Sequence, residues 1–467
     1  MQWVGGASLQ DWAGKATGRA DTGYTSDIAL LHHEHATPMY IFPPESMSDA
    51  YTAFFSNLSS NWNNTYILDA STRREGSNQF PSGHRFRNFG SIAAAWIFSS
   101  GDVLRKLFPF FSYGKIKLSE GVTGNNEPGA RALQNDLPAS PLPRFQPIPG
   151  PDTALLGTGW EKTYKTELSL DLGFLKDRIL FHASFYRHRS DNLLQLGPWV
   201  APAVLENSGY ELSLSASLAD KHSFAWDIAF NWSIPRNKLL SFPRLNASMY
   251  ADQLIVGQSI NVLKGYVYTG VDRQSGLYSF ADLNHDGQIT PADQKVVGHF
   301  DVTGFGGINN TIRWKQFQLQ VLIDARIATG VNYMTDVFYT NTPGSLDGGL
   351  ISNVPKAFLD HWRHPGDVAT YQKVTAAPDA AVDLALQRYL NSSALLANTS
   401  FVRLRKLSLG YSVPPSMARA MHVRSLVFYV DGQNLLALSP YKADAEIQSL
   451  DTMPNMRTIE TGVRMGF

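Results

Sequence analysis

The chain has no cysteine among its 467 residues. That excludes disulfides, thiolate metal sites and a cysteine nucleophile, and it leaves the redox compartment open. There is no excess of either charge: 40 Lys and Arg balance 40 Asp and Glu. The basic surplus that marks most nucleic-acid-binding chains is therefore missing. Charged residues make up 17% of the chain, below the roughly 25% of an ordinary soluble domain. No run approaches the ~18 consecutive apolar residues of a membrane-crossing helix. The opening Met1-Gln2-Trp3-Val4-Gly5-Gly6 lacks the basic and apolar regions of a secretory signal. Lipid requires every backbone N–H and C=O to be paired internally, so with helices set aside the one membrane architecture left is a closed β-barrel.

What the sequence has in quantity is aromatics, 12% of residues, placed in alternation. In 224–234 the even positions are Phe224, Trp226, Ile228, Phe230, Trp232 and Ile234, and the odd ones are small or polar. Successive strand side chains point to opposite faces, so one face of this segment is wholly apolar. Its length matches the ~9–11 residues of a tilted membrane-crossing strand. Segments 168–174, 317–323 and 461–467 repeat the pattern. In all, about 13–14 strands are expected, near 51–60, 64–74, 90–99, 113–122, 164–174, 179–189, 208–218, 223–234, 302–314, 316–327, 400–411, 423–433 and 457–467, with a weaker one near 24–31. Long polar, proline-rich stretches separate several of them, notably 123–159, 235–300 and 329–398. Short turns on one side and long loops on the other suit an outer-membrane barrel. A soluble sandwich or propeller alternates equally well, so period alone leaves both open.

One loop carries candidate metal chemistry. With Asp282 as position one, Asn284 falls at three, Asp286 at five, Gly287 at six, Gln288 at seven and Asp293 at twelve. This is EF-hand spacing: Ca²⁺ takes six to eight oxygens, here from those side chains and the Gln288 carbonyl, with Gly287 allowing the sharp turn. Ile289 at position eight would anchor the loop to its neighbour. Asp instead of Glu at twelve shortens the reach. The expected role is structural, bracing a long loop; an Asx-rich turn without metal is the alternative. His32, His33, Glu34 and His35 lack a helical frame for metal binding and read as a solvated turn. His361 and His364, and the pair Asp444 and Glu446, also read as loop residues. No nucleophile elbow or phosphate-cradling loop is present, so no enzyme is expected.

The blocks between strands resemble a family. Phe280-Ala281-Asp282-Leu283-Asn284-His285-Asp286-Gly287-Gln288-Ile289-Thr290, then Asp293, Gly298 and Gly304-Phe305-Gly306, is similar to a late block of the SusC/RagA TonB-linked outer-membrane transporters of Bacteroidetes. Others follow in the family's order: Arg73-Arg74-Glu75-Gly76-Ser77 with Phe80, Lys115-Ile116-Lys117-Leu118 through Gly124-Asn125, and Trp160-Glu161-Lys162-Thr163. Then come Asn207-Ser208-Gly209-Tyr210-Glu211-Leu212, the run Phe401 to Tyr411, and Gly432-Gln433-Asn434-Leu435 with Tyr441.

The resemblance implies an all-β antiparallel transmembrane β-barrel, of which residues 1–467 are a C-terminal segment of a 22-stranded whole, with long extracellular loops. It implies that the plug, TonB box and signal peptide are absent from this chain. The intact transporter would import oligosaccharides or peptides, driven by the TonB complex through the plug and lidded by a SusD-like surface lipoprotein. Phe467, a terminal aromatic sharing a face with Met465, Val463 and Thr461, resembles the signal read by barrel-assembly machinery. Trp199, Tyr266 and Tyr268 are candidates either for stacking on sugars or for an interfacial aromatic belt. Two alternatives stand beside this reading: a soluble secreted calcium-binding or adhesion module with a dockerin-like loop, and a non-functional fragment of a split gene.

Overall fold

A computed structural model describes residues 1–22, 37–78, 80, 83–101, 106–125, 160–191, 203–221, 223–248, 250–335, 356–375, 379–441 and 455–467. Its first nine strands are β1 (Gln2–Thr22), β2 (Thr37–Trp62), β3 (Tyr66–Ser77), β4 (Phe86–Trp96), β5 (Phe111–Asn125), β6 (Glu161–Phe174), β7 (Ile179–Asp191), β8 (Val204–Lys221) and β9 (Phe224–Ser241). Four short strands follow: β10 (Val262–Gly265), β11 (Tyr268–Val271), β12 (Tyr278–Phe280) and β13 (Lys295–His299). Then come β14 (Val302–Trp314), β15 (Phe317–Val331), helix α1 (Ala380–Tyr389), β16 (Leu396–Asn398), β17 (Phe401–Ser412), helix α2 (Pro415–Ala420), β18 (Ser425–Leu438) and β19 (Thr458–Gly466).

The long strands form one meander. Its order is β1-β2-β3-β4-β5-β6-β7-β8-β9-β14-β15-β17-β18-β19, each beside its successor, with β16 attached to β15. The registers of β1/β2, β2/β3, β9/β14, β14/β15, β15/β17, β17/β18 and β18/β19 are antiparallel. An antiparallel meander sends alternate connections to opposite ends. Among the described residues, one end has the turns 63–65, 175–178, 315–316 and 413–424, and the other has the described parts of 242–301 and 332–400. The long described connections, within 242–301 and 332–400, both lie at the second end. Tight turns at the first end use left-handed residues, Asn63 and Asn64 before Tyr66 and Lys315 between Trp314 and Phe317; Asn tolerates that conformation best among non-glycine residues.

The chain divides into two compact units. The first comprises Met1–Ala95, Leu118–Thr166 and Arg189–Val204. Its small core is Phe80, Phe89 and Trp160, with Tyr51 and Val122 against it. The second comprises Trp96–Lys117, Glu167–His188 and Leu205–Phe467. It holds the most extensive apolar cluster among the described residues, drawn mainly from the long connections: Tyr278, Met334, Phe358, Tyr371, Ala385, Leu386, Tyr389 and Leu390. Segments 242–301 and 356–395 therefore make a folded loop layer. It contains the antiparallel pair β10/β13, the hairpin β11/β12 and α1, whose N-terminus is capped by the Asp379 carboxylate accepting from the Ala381 and Val382 amides.

All thirteen firmer expected strands appear, eleven within a few residues of their bounds; β2 starts at Thr37 where 51 was expected, and β9 runs on to Ser241 where 234 was expected. The candidate near 24–31 lies outside the described residues. A long strand the periodicity did not mark, β1, stands instead at 2–22. Its Gly5-Gly6-Ala7 and Ala13-Gly14 stretches dilute the alternation, and its pairing with β2 supplies the structure.

Candidate functional site

The sheet has two chemically different faces. Register places Trp226, Phe230, Ile308, Ile312, Trp314, Phe317, Leu319, Val321, Leu407, Leu409, Phe428, Val430 and Val463 on one side. Many are large and exposed: Trp314 is 54% and Val463 52% accessible. Exposed apolar surface this continuous marks contact with an apolar medium or partner. The polar atoms on this face are paired, as where the Trp226 indole donates to Asn310 Oδ1 at 3.3 Å.

The opposite face is polar and cross-linked. The Asp171 carboxylate takes Lys115 Nζ at 2.8 Å and His182 Nδ1 at 2.6 Å. Asp227 accepts from Ser217 Oγ at 2.7 Å and Arg313 at 2.9 Å. Ser408 donates to Asp431, and Gln320 donates to Asn309 at 3.3 Å. Neighbouring strands are thus stitched by charge-assisted bonds on one side and left apolar on the other.

At the long-loop end of β9 the chain folds back onto itself. Asn237 Oδ1 accepts from the Ile260 amide at 2.8 Å and Ser259 Oγ at 3.0 Å. Its Nδ2 donates to Asp301 Oδ1 at 3.2 Å, which also receives Ser259 Oγ and Asn261 Nδ2, each at 2.8 Å. Backbone bonds from Leu239 to Gln258 and from Gly257 to Leu239 complete the clasp.

The acidic loop runs from β12 to β13. Asp282 accepts the His285 amide at 2.7 Å and the Gly287 amide at 2.8 Å. Asn284 Oδ1 accepts the Asp286 amide at 3.1 Å, and Asp286 Oδ1 the Gln288 amide at 2.8 Å. Gly287 has φ +80°, a left-handed conformation that favours glycine. Asp293 is fully buried. Its Oδ1 takes the Leu283 and Asn284 amides at 2.8 and 3.3 Å and its Oδ2 the Thr290 amide at 2.8 Å, closing a capping box with Thr290. The Thr290 amide first, then those of Leu283 and Asn284, hold its carboxyl below the usual carboxylate range. The donor types suit a hard cation, but the placement differs from an EF-hand, since both oxygens of Asp293 already face backbone amides. Among the described residues no group of three or more His, Asp and Glu converges as metal ligands. The loop is anchored through Ile289, whose carbonyl accepts from Arg388 of α1 at 2.5 Å.

Tyr266 and Tyr268 belong to the loop layer. Tyr266 is buried, and Tyr268 packs edge-on to Tyr278 and Tyr389. Tyr268 is half-buried against the apolar cluster, and burial pushes its hydroxyl up to about 12. His361 Nδ1 lies 3.0 Å from the Phe358 carbonyl, and the His364 amide caps onto Asp367; both brace the loop. Phe467 is 80% exposed, beyond the last register pair of β18/β19 at the short-turn end. His32, His33, Glu34, His35, Trp199, Asp444 and Glu446 lie outside the described residues.

Comparison with known proteins agrees with the motifs. No family model matches the chain. It is 26% identical to TonB-dependent receptor P3 of Formosa agariphila over 88% of its length and 45% of that receptor. It is 24% identical to TonB-dependent receptor SusC of Bacteroides thetaiotaomicron, over 87% of the chain and 42% of that receptor. The chain thus spans about half the length of the curated relatives it matches. Among solved structures it superposes over its whole length on 52% of a chain of the RagAB peptide importer in an open-open state, with a TM-score of 0.77 and 19% identity. The structure of the RagAB peptide transporter gives 0.72, with 20% identity and 53% of that chain covered. These relatives are named as receptors and transporters. Motif order, likeness over most of the sequence and a shared fold agree: the chain is similar to the SusC/RagA-type TonB-dependent receptors and has the β-sheet architecture of the RagAB structures.

Proposed function

We propose that the chain supplies barrel wall and extracellular loops to a TonB-driven nutrient importer of oligosaccharides or peptides, working with a SusD-like surface lipoprotein. The observation that carries this reading is the two-faced meander, apolar and exposed on one side and polar and cross-linked on the other, with the long described connections at one end. In outer-membrane barrels the short turns face the periplasm and the long loops face outward. The loop layer built by 242–301 and 356–395 is then the surface that meets substrate and lid. Energy coupling through a plug belongs to the remaining half of such a receptor.

Phe467 at the short-turn end is the assembly signal in this reading. Calcium, drawn to Asp282, Asn284, Asp286 and the Gln288 carbonyl, would tighten a loop whose frame Asp293 already holds. The test is an immunoblot of native outer-membrane fractions with serum against 423–467, boiled and unboiled, for the unaltered gene and for a deletion of Phe467. A heat-shifting outer-membrane band, diminished by the deletion, is the expected result. A band confined to the soluble fraction would overturn the reading and favour the secreted-module alternative.

A further inference from the structure

The connection 413–424 leaves the short-turn end of the wall and folds back onto its apolar side. Proline at 415, the first position of α2, has its backbone angle already set for a helix. The Val413 amide donates to the Leu426 carbonyl at 2.9 Å, extending the β17/β18 ladder by one pair. Leu426 shares the alternation of Phe428 and Val430, the outward apolar side chains of β18, yet it is buried where they are open. What covers it is α2: Ala418 packs with Val423 against Leu426, and Val413 lies beside them. The helix therefore lies on the outer side of the sheet.

Its remaining surface is bare. At about 100° per residue, Met417 and Met421 share one flank of α2 and Arg419 projects from the opposite one. The two methionines are 57% and 56% exposed. Arg419 is exposed as well, its Nε donating to the Pro415 carbonyl at 3.3 Å. His422 and Arg424 follow in the turn, both exposed. The span 412–425 has no Asp or Glu, and among the described residues none of these three basic side chains is paired with a carboxylate. One flank apolar and the other basic is the pattern of a helix lying in a membrane interface.

A row of outward aromatics gives the level. Trp314 and Phe317 stack at 6.3 Å, Phe317 meets Tyr411 at 4.9 Å, and Phe428 stands opposite Tyr411 in register. In outer-membrane barrels such a row borders the hydrocarbon. Leu426 and the helix over it lie one row further out, about 7 Å along the strand, where headgroups begin. We infer that α2 is an interfacial anchor with a phospholipid site, Met417 and Met421 among the acyl chains and Arg419, His422 and Arg424 around an anionic headgroup phosphate. The inference rests on the outer-membrane reading and adds a partner that the strands do not specify. Lipid is the occupant because the methionines continue the exposed apolar side of the wall, and because the uncompensated basic flank suits an anionic leaflet.

The test uses the full chain purified from outer membranes and returned to vesicles of phosphatidylethanolamine with phosphatidylglycerol. The chain has no cysteine, so Met421→Cys, or Val430→Cys in the wall, gives a single position for a fluorescent label. Doxyl-labelled lipid should quench both labels, and aqueous iodide should reach neither. Phosphatidylglycerol titrated into the detergent-solubilised chain, read by native mass spectrometry, should bind R419Q/R424Q about thirtyfold more weakly, the worth of two surface cations. R419K/R424K should hold the lipid as the unaltered protein does, and inorganic phosphate should not displace it. A label at 421 open to iodide while that at 430 is quenched by lipid would overturn the anchor and spare the membrane reading. Unchanged lipid binding by R419Q/R424Q, or displacement by phosphate, would overturn the site in the same way. Iodide reaching both labels would remove the membrane reading itself. Each variant must keep the heat-shifting band; should the arginine pair lose it, the label at 421 decides.

Discussion

The wall strands and the loop layer use the same kinds of residue in opposite ways. In β14–β19 large apolar side chains face outward: Phe317, Leu409, Phe428 and Val430 are all more than a third exposed, while the polar side chains are knitted into pairs. In the loop layer the aromatics turn inward: Tyr278 and Tyr389 stack at 4.1 Å, with Phe358 and Tyr371 packed at 5.4 Å beside them. The wall expects an apolar medium outside it, whereas the loop layer expects water and must bury its own core. A protein that divides its apolar residues this way has two solvents, and the division falls where the long connections begin.

The largest effect that would break this contrast is expected in the loop core. Tyr389→Ala removes the ring that joins α1 to β12 and should destabilise the layer by about 3–5 kcal/mol, as for other buried aromatics. Hydrogen exchange should quicken across 380–389 while the wall keeps its heat-shifting band. Next is a charge on the outer face. Val430→Arg should cost about 2–4 kcal/mol if that face meets the bilayer midplane, measured by urea unfolding in lipid. A soluble wall would register within about 0.5 kcal/mol, the usual effect of a surface change, and would end the two-solvent account.

A smaller effect distinguishes the loop layer by pH. The folded-state carboxyl of Asp293 is held below its ordinary range. Its contribution is therefore present above the unfolded value near pH 4 and lost as the pH falls through the lower, folded value. Hydrogen exchange at 283–290 should rise in acid, and Asp293→Asn should raise it at neutral pH and flatten the acid response; an unchanged profile in the variant would remove Asp293 as the frame. The smallest effect concerns calcium. With the ion, the unaltered protein should melt roughly 2–4 °C higher, what about 1 kcal/mol yields in a large domain, and Asp282→Ala with Asp286→Ala should cancel the gain. Equal losses in chelator would leave an Asx-rich turn and no metal.

Residue pattern alone was enough for the wall, because period two is a local property: each strand's own alternation sets its two faces, as 224–234 and 317–323 show. It also marked Asp282 to Asp293 by spacing. It missed β1, whose glycines and alanines carry no alternation and which exists through its pairing with β2. It took 235–300 and 329–398 for open polar loops, because the cluster that folds them joins residues about a hundred positions apart, such as Tyr278 and Tyr389. Such non-local packing leaves no period to read. The same is true of Asp293, where spacing suggested a ligand and tertiary placement turned both oxygens to backbone amides. Sequence by itself determined most of the wall strands and which face of each is apolar; only the tertiary structure decided β1 and what the long connections bury, because those outcomes depend on chain segments far apart in sequence meeting in space.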